Sequence, residues 1–444
     1  METDKIYTQP NTIKNVAVLV IPSIIALVII ALYQTVDGIF IGMFSGELAI
    51  GVVNLYLPVL YVISSIGLLL ASGCNAYLPK LVGEGKKDEA DKAFSSTVIL
   101  LVILCAVLSA ALLIFREPII YALGADEANA GYLRLYYSII STGALAVATQ
   151  VLVDTLLVAD GKAAMTVVLS VIGGVINCGL DYLFMKSFHW GVTGAAIATL
   201  LGYSVTLIYG IYYFVFSGKS QYRIRLTVPN FKAFFRVCIA GAFGFIANIA
   251  SAVSALVLNN IMNNIGGAAG ISALTATSFV QYILTSIGLG IGYGAEPVMS
   301  YHFGAKNTKE QHRLCKNSLL LTSALSAACT VLVFILARPV VSLFFDAESE
   351  IGNVACSGLR LMIIGGLFCE LNCLLTVFFA AWGKNKVSGG FSLVRTLIIP
   401  VILYIVMSKL FGITGLWLSW PIAEFICLAA GFVFYAKAQK EIGI

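Results

Sequence analysis

Asp37 is the only charge between Lys14 and Glu47, in a stretch that otherwise reads as membrane. A carboxylate in such a place costs roughly 2.5–3.5 kcal/mol on insertion scales, so it faces a water-filled interior and does work there. The same half of the chain holds partners for it. Asn177 and Asp181 are four apart, hence on one helical face about 6 Å from each other. Asp37 lies ten residues before Glu47, Asp181 just over a turn before Lys186, and Thr199 eight residues into its own apolar segment. Counted that way the oxygens reach similar depth. Two carboxylates close together in low dielectric cannot both stay ionised cheaply; one holds a proton or they share a cation. The chemistry expected of Asp37, Asn177, Asp181 and Thr199 is therefore reversible binding of a coupling ion. Their oxygens suit a hard cation such as Na+ at Asp37, Asn177 and Asp181, and the carboxylates equally suit H+. Asp154, two turns from Lys162, either joins this cluster through a bend in its helix or pairs with Lys162 at the membrane edge.

The second half carries different acids: Glu296, Glu370 and Glu424, with Arg395, all inside apolar segments. One buried Arg neutralises at most one Glu by pairing. The others remain to attract a cationic substrate, Glu370 first and Glu296 second. Tyr33, Gln34, Tyr137, Gln150 and Gln281 are expected to line the route with them. His189, His302 and His312 lie in or beside loops, share no metal spacing and are expected to be exposed. No GxxxxGK[ST] loop occurs, so ATP hydrolysis by this chain is not expected. No His or acid pair clusters at one membrane face, which argues against an enzyme. No cofactor, metal centre or nucleic-acid partner is expected.

The elements that hold these residues follow from composition. The 444 residues are 59% hydrophobic and 11% charged, with a mean hydropathy of +0.95. Such a chain is built of spanning helices. Apolar segments lie at 15–42, 51–79, 95–115, 131–158, 163–185, 191–216, 232–262, 271–300, 315–337, 357–382, 387–408 and 414–436, each long enough to span. With an internal N-terminus, twenty Lys and Arg fall on the cytoplasmic side and six outside. Both termini are therefore expected in the cytoplasm. Ten Cys are scattered singly, apart from Cys369 and Cys373, and read as small buried apolar residues. Prolines at 22, 58, 297, 400 and 421 imply kinks; one at Pro22 would couple ion occupancy near Asp37 to helix bending. The longest polar stretch, Ser217–Phe231, reads as a solvated cytoplasmic linker carrying Lys219, Arg223 and Arg225.

The two sides of that linker repeat each other. Ser65-Ile66-Gly67-Leu68 recurs as Ser286-Ile287-Gly288-Leu289, an offset of 221 that also relates Gly73 to Gly294, Pro118 to Pro339, and Gly191-Val192-Thr193-Gly194 to Gly412-Ile413-Thr414-Gly415. Six spans per half give both halves the same orientation, with a pseudo-two-fold along the membrane normal. The domains expected are 1–218, a linker at 219–231, and 232–444. Asp37, Asn177 and Asp181 map onto Leu258, Ile398 and Ile402, so the ion site belongs to the first half alone. The fold class is an all-α integral membrane protein: twelve transmembrane helices in two six-helix bundles around a central cleft.

At this point the chain resembles a known family. Val36-Asp37-Gly38-Ile39-Phe40-Ile41-Gly42 on the first helix and Asn177-Cys178-Gly179-Leu180-Asp181 on the fifth resemble the multidrug and toxic compound extrusion (MATE) transporters. Gly83 and Ser300-Tyr301-His302-Phe303-Gly304-Ala305-Lys306-Asn307 resemble that family's paired loops after the second and eighth helices. Glu296 departs from its pattern, where a neutral residue is expected. The resemblance implies ion coupling at Asp37, Asn177, Asp181 and Thr199. The function expected is an H+- or Na+-coupled antiporter exporting amphipathic, cationic organic compounds from the cytoplasm, as a monomer in the inner membrane. The rival is a lipid-linked saccharide flippase of the same superfamily, which would need a strongly cationic cleft; only Arg395 and Arg134 are basic within spans.

Overall fold

The computed structural model describes residues 9–45, 47–123, 130–224, 229–342 and 348–443. Within its helices the side chains of 33–45, 47–54, 57, 268, 269, 271, 272, 275, 276, 279, 350 and 351 lie outside that description. The described residues are helical, with no strand among them, as lipid demands when every backbone N–H and C=O must be satisfied within its own segment. The first half runs α1 (Ile13–Ser45), α2 (Glu47–Gly83), α3 (Lys87–Ile114), α4 (Arg116–Ala122), α5 (Ala130–Thr142), α6 (Ala144–Ala159), α7 (Ala163–Asp181) and α8 (Gly191–Ile211). The second runs α9 (Phe231–Gly304), α10 (Thr308–Ile335), α11 (Ala337–Val341), α12 (Glu350–Ala381), α13 (Asn385–Leu393) and α14 (Ile399–Ile442).

Nine of the described helices are long and apolar enough to cross a membrane, and α5 with α6 makes a tenth, bent by 49°. Two long runs are themselves pairs. α9 is interrupted at Gly267 (φ 56°, ψ −152°) and α14 at Gly412 (φ 59°, ψ −139°), a backbone region open essentially to glycine alone. Read as turns between spans, these interruptions complete the twelve.

The repeat is written in the backbone as well as the sequence. Positive φ at Gly85 and Gly191 recurs 221 residues later at Lys306 and Gly412, and that of Gly161 recurs 222 later at Gly383. Lys306 adopts at some cost the conformation its glycine counterpart takes freely.

Packing divides the chain differently from the repeat. One compact unit contains Ile29–Phe245; the other contains the start of α1 as far as Val28 and everything from Ile246 onward. Each unit thus includes the first half of a helix whose remainder belongs to the other. Small residues seat these half-helices. In the first unit Gly241 of α9 lies so close to α2 that an added Cβ would meet the Leu69 carbonyl and, at 2.6 Å, the Gly73 nitrogen. In the second, a Cβ on Gly290 or Gly294 would come within 2.6 Å of Ile24 Cα or 3.0 Å of Val20 Cα on α1. Val20 and Gly294 are the repeat counterparts of Gly241 and Gly73. The contact is the same, but both members of the first pair are glycine and only one of the second is.

The linker after α8 is anchored rather than loose. The buried Asp160 carboxylate accepts from Tyr213 Oη at 2.6 Å and from the Gln221 N–H at 2.9 Å. Asp91 accepts from the Arg223 N–H, and Ser96 Oγ from the Asn230 N–H. Tyr222 is fully buried against Phe94. The solvated reading of this stretch holds for the exposed Lys219 and Arg223 side chains, while the backbone between them is fixed. Arg225 lies outside the described residues.

Candidate functional site

In the first unit α6, α7 and α8 line a small recess, partly open, whose walls include Gln150, Ser170, Asn177, Thr199, Tyr203 and Thr206. Three expected site residues, Gln150, Asn177 and Thr199, thus meet in one place. Asn177 is buried and its Oδ1 has no hydrogen-bond partner; Thr199 Oγ1 has none either. Buried acceptors left unpaired by the protein are costly and are where a ligand or water belongs. The approach of α7 to α8 that creates the site depends on Gly173 and Gly202: a Cβ on Gly202 would lie 3.2 Å from Asn177 Cβ.

Asp181 is fully buried one turn after Asn177, at the point where α7 widens into a π-helical turn, Tyr182–Ser187. Such turns are frequent at functional sites. Asp154 is half-buried on α6, four residues after Gln150 and so on its face, with Oδ1 unpartnered. Asp37, Tyr33 and Gln34 lie on α1, but their side chains fall outside the described residues. Tyr137 is not a lining residue. It is fully buried in the core, edge-on to Tyr56, with its hydroxyl donating to the Leu112 carbonyl at 3.1 Å. An aromatic inside a span reads alike from sequence whether it packs or lines a path.

The second unit has its own narrow recess, lined by Thr277, Gln281, Thr285, Gly366, Glu370 and Trp420 among apolar residues. Glu370 and Gln281, both expected substrate residues, face it together. Glu370 is buried and its Oε2 is unpartnered. Gly288 lets α9 close on it: a Cβ there would stand 2.8 Å from Glu370 Cα, Cβ and Cγ. Glu296 is fully buried beside Pro297 and is not among the lining residues. Glu424 is the acid that Arg395 pairs with, Nε to Oε1 at 3.2 Å. Asn372 donates to its other oxygen at 2.7 Å, and Arg395 also reaches Cys369 and Cys373. The expected buried pair is formed, and Glu370 is left out of it.

Two features were missed. His302, expected to be exposed, is buried, its Nε2 3.0 Å from Asn11 Nδ2. The Asn11 N–H donates to Glu310 Oε2 at 2.8 Å, and Asn317 donates to the Asn11 carbonyl. This clasp holds the start of the chain to the second unit, and burial keeps the His302 imidazole below its ordinary pKa. It was hidden because its partners are nearly three hundred residues apart. The other is a polar stripe on α10, legible in retrospect as Ser318, Thr322 and Ser326 at spacings of four.

A helical membrane protein built on an internal repeat, with a recess holding unpaired oxygens in each of its two compact units, has the architecture of a two-lobed solute transporter. The MatE family model matches residues 22–183 and again 244–406, the second match beginning 222 residues after the first (244 − 22). The chain belongs to that family, the multidrug and toxic compound extrusion transporters, and is a multi-pass membrane protein. It is 25% identical over 426 residues to the "Multidrug export protein MepA" of Staphylococcus saprophyticus, covering 95% of this chain and 93% of that one. It is 26% identical over 424 residues to the same-named protein of Staphylococcus aureus strain NCTC 8325, with the same coverage. Its fold matches an outward-facing multidrug resistance MATE family transporter of the MOP superfamily, with a TM-score of 0.92 at 21% identity over 99% of this chain and 97% of that one. A MOP superfamily transporter from Pyrococcus furiosus, whose structure is described by a binding pocket of reversed polarity, matches with a TM-score of 0.90 at 21% identity over the same shares.

Proposed function

We propose that the protein is a secondary antiporter of the inner membrane that exports amphipathic, cationic organic compounds in exchange for H+ or Na+. The observation that carries this reading is the pair of separate recesses. One is lined by Gln150 and the unpaired neutral oxygens of Asn177 and Thr199, with Asp154 four residues after Gln150 and Asp181 four after Asn177. The other is apolar, with a single unpaired carboxyl oxygen on Glu370. The first suits a small hard cation or a proton. The second matches in character, though not in its present size, an apolar cation: apolar walls with one acid. Ion and substrate need only bind two conformations of the transporter differently for one to drive the other. The names of the Staphylococcus relatives, multidrug export proteins, agree with this direction of transport. Asp37 completes the ion set by the family resemblance, both termini lie in the cytoplasm by the Lys and Arg count, and a monomer suffices.

The flippase reading needs free cationic groups for a pyrophosphate. Arg134 is instead held bidentately by Glu117 at 2.7–2.8 Å, and Arg395 is engaged by Glu424. Ethidium efflux from proteoliposomes under an imposed pH or Na+ gradient tests the proposal, comparing wild type with Asp37→Asn, Asp181→Asn and Glu370→Gln. Efflux driven by one gradient and lost in the Asp variants establishes antiport and names the ion. No efflux under either gradient from folded protein overturns it.

A further inference from the structure

The buried face of α10 stays polar further along the helix than that of its repeat partner α3, whose buried polar residues end at Thr97. The buried residues of α10 are Gln311, Leu314, Cys315, Ser318, Thr322 and Ser326. The three hydroxyl residues are fully buried; Ser318 and Thr322 have no hydrogen-bond partner, and Ser326 has none apart from the Glu370 carboxyl beside it. Some buried helical hydroxyls close a bond to the carbonyl one turn back, as Ser95 does to Asp91 and Thr97 to Ala93, while others, Ser72 and Ser170 among them, are unpartnered one at a time rather than in a row. At the repeat offset Ser318, Thr322 and Ser326 correspond to Thr97, Leu101 and Cys105, so α3 has one satisfied hydroxyl followed by apolar side chains. The stripe belongs to the second unit alone.

Its ends are informative. Ser326 faces the Glu370 carboxyl, whose Oε2 is otherwise unpartnered, across the packed pair α10 and α12. The titratable neighbours of Glu370 are Cys329 and Cys373. At the other end Gln311 donates to the His302 carbonyl at 3.2 Å, while Gln311 Oε1 and His302 Nδ1 have no partner. Glu310, paired with Arg313, is the charged neighbour of His302. Fifteen residues separate Gln311 from Ser326, about 22 Å of helix, against roughly 30 Å of hydrocarbon. Buried polar groups without protein partners are satisfied by bound water, and a line of them is satisfied by a line of it.

We propose that Ser318, Thr322 and Ser326 hold a file of bound water connecting Glu370 to the His302 end of the second unit, and that protons reach Glu370 by this file. That end is cytoplasmic by the charge count. A proton hops along hydroxyls and waters with no net change at any hydroxyl, adding to the Glu370 carboxylate and returning by the same route. The inference stands apart from the substrate reading, since water and protons reach Glu370 whether or not a substrate binds there.

Hydroxyl-radical footprinting by X-ray radiolysis of the whole protein tests it with internal controls. Cys315 sits on the stripe, while Cys105 and Cys74 are equally buried in the first unit. Water beside Cys315 should make its oxidation at least about tenfold faster than that of Cys105 or Cys74, the contrast between a wet and a dry buried site. Equal protection of all three overturns the file. The proton arm reads the infrared carboxyl band that disappears in Glu370→Gln. Its shift on transfer to D2O should slow at least about tenfold when Thr322→Val and Ser326→Ala remove the hydroxyl relay. An unchanged rate, or no Glu370-dependent band at any pH the protein tolerates, overturns the proton path while leaving the footprinting result to judge the water.

Discussion

Glu370 is held in place by an absence, since Gly288 leaves room for its whole side chain. Gly288→Ala should therefore act like a mild Glu370 variant, moving the carboxyl out of line with Gln281. We expect efflux of a monovalent cationic dye to fall about tenfold in Glu370→Gln, equivalent to about 1.4 kcal/mol, and by a smaller factor in Gly288→Ala, with neutral substrates affected less. Transport assays with a cationic and a neutral dye in parallel distinguish this from loss of folding. His302 supports a pH prediction. Its unfolded pKa is near 6.5 and its folded one lies lower because burial disfavours the cation. The unfolded chain therefore takes up the proton first as pH falls. Stability is full above about 6.5 and declines as pH drops from there towards the folded pKa. The thermal unfolding midpoint should fall across that window in wild type and fall less in His302→Gln. At this scale the sequence shows the intramembrane acids clearly, because charge in lipid is too costly to be incidental. It did not show which aromatic residues pack, nor the Asn11–His302 clasp, because neither residue is unusual where it stands and only folding brings them together.

Among the elements, the stretch Gly288-Leu289-Gly290-Ile291-Gly292-Tyr293-Gly294 on α9 carries two interleaved seats. Gly288 and Gly292 admit Glu370 and Val377 of α12, while Gly290 and Gly294 admit Ile24 and Val20 of α1. Residues four apart share a face, so one helix is trimmed on two sides by one simple pattern. Gly241→Leu, on the opposite member of the equivalent pair, should lower stability by about 1–3 kcal/mol or more by overpacking, read as a drop in the unfolding midpoint of detergent-solubilised protein. Leucine at Gly390, where an added Cβ meets nothing within 4 Å, should cost far less. The glycine register is visible in the sequence; what each glycine faces is not. The linker was less legible still, since a run of polar residues looks the same whether its N–H groups face water or, as here, Asp91, Ser96 and Asp160.

For the whole molecule, the repeat was readable from sequence because its register survives over some 130 residues, and the backbone and the family match repeat it. The exchange of half-helices was not, since a helix that changes partners at Val28 or Phe245 needs no change in hydrophobicity to do so. It carries a prediction. Separate expression of residues 1–218 should yield little folded protein, because that fragment lacks the part of α9 its own unit packs against, whereas co-expression with 232–444 should restore both. Abundance of the first fragment by gel filtration decides it; a stable, monodisperse 1–218 fragment would sink the idea. The two seats also differ in the half-helix they admit. Val20 and Ile24 of α1 lie against glycines at 294 and 290, whereas Gly241 of α9 lies against Leu69 and Gly73. A Cβ at position 241 already collides with the Leu69 carbonyl, so a half-helix carrying valine there, as α1 does at Val20, has no room in that seat. Each half-helix is thus cut for the unit it enters, and the two are not interchangeable.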